Sequence, residues 1–314
     1  MSAERYLVTG GAGFIGSHIA LTLAASGARV RVLDDFSSGR RENLRDASEQ
    51  AAANIEVICG DLRDAEAVDL AARDVDVIFH EGAIASVPRS VAEPETTLDV
   101  NIKGTLNMLE AARRAGVRRV VIASSSAIYG DTPTLPLSER MPPRPMSPYA
   151  AHKLCDEQLC EVYGRLYGLE TVALRYFNVF GPRQDPNSEY SAVIPRFAAK
   201  LRADERPIVY GDGEQTRDFI HVSDVVRANL LAARVPEAAG AVYNIGGGER
   251  VSLNQLLAVA SELLGKGARP DYQAPRPGDI RDSVADISRA RDVLGFSPTM
   301  SFRDGLADLL RSDR

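Results

Sequence analysis

Thr9-Gly10-Gly11-Ala12-Gly13-Phe14-Ile15-Gly16 follows the short apolar run Tyr6-Leu7-Val8 and opens a helix-patterned stretch from Phe14 to Ala25. Glycines 10, 13 and 16 therefore stand where a strand turns into a helix. Without side chains there, the backbone can approach a pyrophosphate, and the positive end of the helix stabilises it. Asp34 closes the next apolar run, Val30-Arg31-Val32-Leu33. An acid at that place accepts from the adenosine ribose hydroxyls and repels a 2′-phosphate, so NAD is the expected cofactor. Arg40 and Arg41 follow closely and are the feature that would suit NADP instead. Asp61-Leu62 falls after a third apolar run, Ile55-Glu56-Val57-Ile58. That pair either borders the adenine or supplies an acid to a helix N-terminus.

The alternation continues outward from this turn. A helix is expected over 65–72, a strand over 75–79, a long helix over 98–115, a strand over 119–123, a helix over 149–167 and a strand over 171–174. Strands alternating with helices predict an α/β fold with a doubly wound parallel Rossmann sheet. After Arg175 the rhythm breaks at Pro182, Pro186 and Pro195, and Gly211-Asp212-Gly213 marks a tight turn. An α/β unit then returns over 219–245, and the tail from Ser252 is mostly helical. This predicts a Rossmann domain of residues 1–175 plus 219–250, and a smaller, mostly helical substrate lobe of 176–218 plus 251–314.

The net charge of −6 argues against a nucleic-acid partner, which usually meets a basic patch. The arginine pairs 40–41, 113–114 and 118–119 read as solvated surface. Three cysteines, Cys59, Cys155 and Cys160, fit no metal or disulfide spacing and are expected to be reduced and structural, as in the cytoplasm. Met1-Ser2-Ala3-Glu4-Arg5 carries no apolar signal, and no apolar run is long enough to span a membrane.

Tyr149 and Lys153 stand four apart at the start of a predicted helix, so they share a face. Pro148 before them suits a helix start. An ammonium beside a phenol stabilises the phenolate, which lets a tyrosine trade protons near neutral pH. Ser124-Ser125-Ser126 ends the fifth strand, at the carboxyl edge where such folds bind ligands. A serine there can hydrogen-bond the same substrate oxygen.

Taken together, these motifs resemble the extended short-chain dehydrogenase/reductase family over nearly the whole chain. The matching strings include Arg175-Tyr176-Phe177-Asn178-Val179-Phe180-Gly181-Pro182 and Arg217-Asp218-Phe219-Ile220-His221-Val222. The resemblance implies a catalytic Ser125, four residues before Tyr129, with Ser124 and Ser126 as alternatives. Tyr149 and Lys153 would complete the catalytic set. The cofactor-binding set would be Gly10, Gly13, Phe14, Ile15, Gly16, Asp34, Asp61, Leu62, Tyr149 and Lys153.

Within that family the likeness is to nucleotide-sugar 4-epimerases of the UDP-glucose and UDP-N-acetylglucosamine type, carried by Asp35 to Asn43 and by Ser86-Val87-Pro88-Arg89-Ser90. Related dehydratases place an acid two residues before the tyrosine of Tyr-Gly; here that residue is Ala127. Uronate epimerases pair a threonine and an arginine where this chain has Asn178 and Asp185, so a sugar carboxylate would face an acid. Epimerases restricted to glucose and galactose carry a tyrosine where this chain has Ser283, so an N-acetyl group should fit. By the same resemblance, Arg217 and Arg276 would clamp the diphosphate, Asp279 the uridine ribose, and Ser86, Ser125, Ser126, Asn178 and Ser283 would meet the substrate. No metal is implied. The implied reaction passes through a transient 4-keto sugar. A UDP-glucuronate epimerase, or a reductase or dehydrogenase of the same family, is the alternative. Relatives dimerise through the helices corresponding to 98–115 and 149–167, so a homodimer is expected, with Leu106, Leu109, Leu159 and Val162 as apolar candidates for the interface or for the sheet.

Overall fold

The computed structural model describes residues 4–45, 48–185, 193–275 and 280–312. Seven strands form its central sheet: β1 (Arg5–Thr9), β2 (Arg29–Asp34), β3 (Ile55–Cys59), β4 (Val77–His80), β5 (Arg119–Ser125), β6 (Glu170–Tyr176) and β7 (Ala241–Ile245). Their order is 7-6-5-4-1-2-3 and every pairing is parallel. The strand order reverses between β1 and β4. There the crossovers leave to opposite faces and a crevice opens at the carboxyl ends. Thr9 is level with Leu33 on one side and His80 on the other, so three strand ends reach that crevice together.

Strand side chains alternate faces, and the sheet uses the alternation to build two cores. Val8, Val32, Phe79 and Val121 pack with Ile19 and Leu23 of α1 (Phe14–Ala25) on one face. Leu7, Leu33, Ile78 and Val120 pack on the other. They meet Val68 of α2 (Ala65–Ala72), Met108 and Leu109 of α3 (Gly104–Ala115), and Cys160 and Tyr163 of α4 (Pro148–Tyr167). Helix α4 starts on Ser147, whose hydroxyl accepts from Ala150 N, with Pro148 in the first turn. Such a cap is worth about 1 kcal/mol. The helix stops at Gly168, whose φ of 71° no β-branched residue tolerates.

Downstream, three short strand pairs flank the crevice: Asn178–Phe180 with Phe219–His221, Thr216–Arg217 with Val251–Ser252, and Ile208–Tyr210 with Asp271–Gln273. A third apolar cluster joins α5 (Val193–Arg202), α7 (Leu253–Leu264) and α8 (Phe302–Ser312) through Phe197, Leu201, Leu256, Leu306 and Leu309. Helix α6 (Val222–Arg234) returns to the sheet, where Val225 and Ala228 join the first core.

Three expectations change. The long helix expected over 98–115 is Pro94–Leu98, a π-turn over Asp99–Lys103, and then α3. Buried Asn101 in that turn binds the backbone of Ile84 both ways, through Oδ1 at 2.8 Å and Nδ2 at 3.2 Å. Arg119, read as surface, is buried. It pairs with Glu170 at 2.8 Å and donates to the carbonyls of Ala232 and Val235, which close the end of α6. All three cysteines are free, but only Cys160 is buried, and Cys59 is exposed.

No described helix is long and apolar enough to cross a membrane.

Candidate active site

A cleft of about 1770 Å³ runs across the carboxyl ends of β1, β2, β4, β5 and β6 and under the downstream strand pairs. Gly10, Gly13, Phe14, Ile15 and Gly16 line one end of it. Gly10 has φ +63°, and a Cβ there would lie 2.7 Å from Gly82 Cα. A Cβ on Gly16 would lie 2.9 Å from Gly11 Cα. Both positions thus need glycine for the turn to close. No side chain caps α1 at Gly13, so its first amides are left for an anion.

Asp34 lines the same end. Its Oδ2 accepts from Ala12 N and its Oδ1 from Phe36 N, both at 2.8 Å, which fixes the carboxylate in place. Burial raises its pKa from the usual carboxylate value, against those two bonds. Asp61 and Leu62 also line the cleft. Asp61 is held by Arg63 at 2.5 Å, and the arginine keeps its pKa low. The acid that caps α2 is Asp64, so Asp61 is not the helix-end acid of the alternative reading. Arg40 is paired to Asp185 at 2.6 Å, and the Arg41 guanidinium lies 4.2 Å over the Phe36 ring. Both cations that would have suited a 2′-phosphate therefore have partners. The glycine cradle, the bare helix end and the fixed acid together fit an adenine dinucleotide.

Tyr149 and Lys153 line the same cleft from the first two turns of α4. Tyr149 N donates to Ser90 Oγ at 3.1 Å, which seats the helix start against the segment after β4. Lys153 is buried and donates to Asp156 Oδ2 at 3.2 Å. Burial pulls the lysine pKa down, but Asp156 and Tyr149 outweigh it and the value ends above that of an ordinary lysine. The ammonium is thus the form present at neutral pH.

The three serines separate. Ser124 Oγ donates to Glu157 Oε1 at 2.5 Å. Glu157 is gripped by Arg175 at 2.7 and 2.9 Å, and Arg175 reaches Tyr129 OH at 2.8 Å. Ser124 and Ser125 both line the cleft; the Oγ of Ser125, not taken by Glu157, accepts from Ala127 N at 3.2 Å. Ser126 begins the helical turn Ser126–Tyr129 and is not among the cleft-lining residues.

Of the expected substrate residues, Ser86, Asn178 and Arg217 line the cleft. Arg217 donates to Thr216 O at 2.9 Å. Ser283 does not line it: the residue is buried, and its N–H donates to Thr216 O at 3.2 Å. Arg276 and Asp279 lie outside the described residues. Asp185, expected to face a sugar carboxylate, lines the cleft with its own carboxylate paired to Arg40 at 2.6 Å.

Sequence reasoning missed Glu81, Arg196 and Gln215, all lining the cleft. Glu81 directly follows β4, so the carboxyl-edge rule applied to His80-Glu81 points to it. Its Oε1 accepts from Tyr176 OH at 2.8 Å, and burial pushes its pKa up to about 7. No sequence signal distinguishes Arg196 or Gln215 from surface.

The model of the NAD dependent epimerase/dehydratase family matches residues 6–246. The chain is 42% identical over 305 residues to a UDP-glucose 4-epimerase of Mycolicibacterium smegmatis, covering 96% of each. Among solved structures it is similar to the UDP-N-acetylglucosamine 4-epimerase of Methanobrevibacter ruminantium M1 in complex with UDP-N-acetylmuramic acid. That match has a TM-score of 0.94 and 41% identity, and covers 100% of this chain and 99% of that one. It is also similar to the Thermus thermophilus UDP-glucose 4-epimerase in complex with NAD, with a TM-score of 0.88, 40% identity and 98% of each chain covered.

Proposed function

Because the chain belongs to the NAD dependent epimerase/dehydratase family, we propose that it is a 4-epimerase of UDP-hexoses, acting on UDP-glucose and UDP-galactose and on their N-acetylhexosamine counterparts. One observation carries this reading. Ser125, Tyr149 and Lys153 line the same cleft as Asp34 and the glycine turn. Ala127 stands where related dehydratases carry an acid, which leaves oxidation and reduction at C4 as the chemistry.

NAD, when bound, supplies the reversible hydride acceptor that converts the C4 alcohol to a ketone and back. Tyr149, as phenolate, takes the O4 proton and later returns it, with Lys153 holding the charge. Ser125 donates to O4 and stabilises the oxygen as it gains carbonyl character. Arg217, with Arg276, anchors the diphosphate, and Asp279 the uridine ribose. The nucleotide stays fixed while the sugar turns its other face. Asn178 and Ser86 contribute polar contacts from the cleft wall.

The same reading divides the chain into a dinucleotide-binding domain of 1–175 plus 219–250 and a sugar-nucleotide lobe of 176–218 plus 251–314. It makes the protein a cytoplasmic homodimer. Leu106 on α3 and Val162 and Leu166 on α4 are exposed and support that interface, whereas Leu109 and Leu159 pack toward the sheet.

The test is turnover of UDP-glucose, UDP-N-acetylglucosamine and UDP-glucuronate separately, with products resolved. C4 epimers of the first two, with no net change at the nicotinamide absorbance band, are expected. Steady accumulation of reduced or oxidised cofactor would make the protein a dehydrogenase or reductase. Turnover of the uronate alone would move the substrate class.

A further inference from the structure

We propose that Asp156 is a positioning residue for this reaction: it holds the Lys153 ammonium from the protein side and so divides that charge between itself and Tyr149. The inference rests on the reading of Tyr149 as the base. Residues 149, 153 and 156 follow one stripe of α4, with the lysine in the middle. Tyr149 lies one turn toward the cleft and Asp156 one turn into the protein. The Lys153–Asp156 distance is 3.2 Å, and the two side chains are 4% and 1% exposed.

A carboxylate so deeply buried is costly unless paired. Among the described residues Lys153 is the cation that pairs it. The Thr105 hydroxyl donates to Asn101 O at 2.6 Å and lies close enough to help steady the Asp156 carboxylate, whose Oδ1 has no full hydrogen-bond partner among the described residues. The neighbouring acid on α4, Glu157, is taken by Arg175. The two partners therefore depend on each other: Asp156 needs the ammonium, and the ammonium is shared.

Other groups face the same lysine. From the end of β4 come Glu81 and His80. Burial holds His80 near a pKa of about 3, so it is neutral, and its ring bonds Thr9 and Thr105 at 2.7 and 3.1 Å. From α4 itself come Tyr149, His152 and Cys160, while Glu157 faces Asp156 and Cys160. Of these, Glu81 is the other group that can change the lysine's surroundings near neutral pH.

Removing the Asp156 charge has two effects of the same sign. Lys153 loses its main stabilising anion and releases its proton at lower pH. Until it does, its full charge falls on the phenol, and tyrosinate forms at lower pH too. In Asp156→Asn holoenzyme, both limbs of the kcat profile should move to acid by about one pH unit, the scale of one close charge partner. KM for the UDP-sugar should change little.

A second readout needs no turnover: an ultraviolet tyrosinate titration with Tyr149→Phe as the subtraction blank. Its midpoint should fall by a similar amount in Asp156→Asn. The same shifts are expected in Asp156→Ser, and in a Glu81→Gln background, which removes the other facing carboxyl. An active, folded variant with unmoved limbs and an unmoved tyrosinate midpoint would overturn the proposal. Failure of both Asp156 variants to fold would also overturn it, by making the residue purely structural. Full activity of Tyr149→Phe would instead sink the base assignment beneath it.

Discussion

Ser124 and Glu157 share a buried hydrogen bond of 2.5 Å, and Ser124 and its neighbour Ser125 both line the cleft. That bond ties the end of β5 to α4 and commits one of three adjacent hydroxyls. Ser125→Ala should therefore lose roughly 10²-fold in kcat, the scale of one lost donor to a developing oxyanion. Ser124→Ala should leave Glu157 short of a donor and cost about 1–3 kcal/mol of stability, with a smaller effect on rate. Thermal melts and kcat measured on both variants check this. A larger rate loss in Ser124→Ala would reverse the assignment.

Asp34 is held by two backbone amides and presents its carboxylate to the cleft. Asp34→Ala should weaken NAD binding by about 1.5–3 kcal/mol, or roughly 10- to 100-fold, because a charged acceptor is lost. NADP binding should fall less or rise, since a 2′-phosphate no longer meets a negative charge. Titration calorimetry with both cofactors decides it; unchanged NAD affinity would place the ribose contact elsewhere.

Leu106, Val162 and Leu166 are exposed on two neighbouring helices that Tyr163 and Glu110 bridge at 2.7 Å. Leu166→Glu should place a charge in the proposed dimer interface and lower the sedimentation mass toward that of one chain. A wild-type mass of one chain at micromolar concentration would remove the interface altogether.

Ser283 is buried against Thr216, next in sequence to the cleft-lining Arg217. Ser283→Tyr forces a ring into that space, and overpacking typically costs about 1–3 kcal/mol, or one to two decades in rate. If the ring reaches the sugar 2-position, the loss should fall on UDP-N-acetylglucosamine while UDP-glucose turnover survives. UDP inhibition should barely move. Equal losses for both sugars would mean that Ser283 only packs the strand beneath the site.

Much of this molecule is local and therefore legible in order along the chain. The glycine turn, Asp34, the span of α1 and α2, and the Tyr149–Lys153 spacing follow from strand and helix periods and from steric limits at Gly10 and Gly16. They hold whatever the chain does elsewhere. What lies across the fold did not follow. Arg119 sits beside Arg118 in sequence, yet it is buried because Glu170 and two carbonyls at the end of α6 converge on it. Asp185 is paired to Arg40, 145 positions away. Ser124 is distinguished from Ser125 by a glutamate on another element. In each case the side chain's role depends on which partner comes within a hydrogen bond of it. A sequence determines which groups a residue can offer and which face it lies on; the burial that gives a charge its worth, and the distant partner that satisfies it, exist only once the chain has closed.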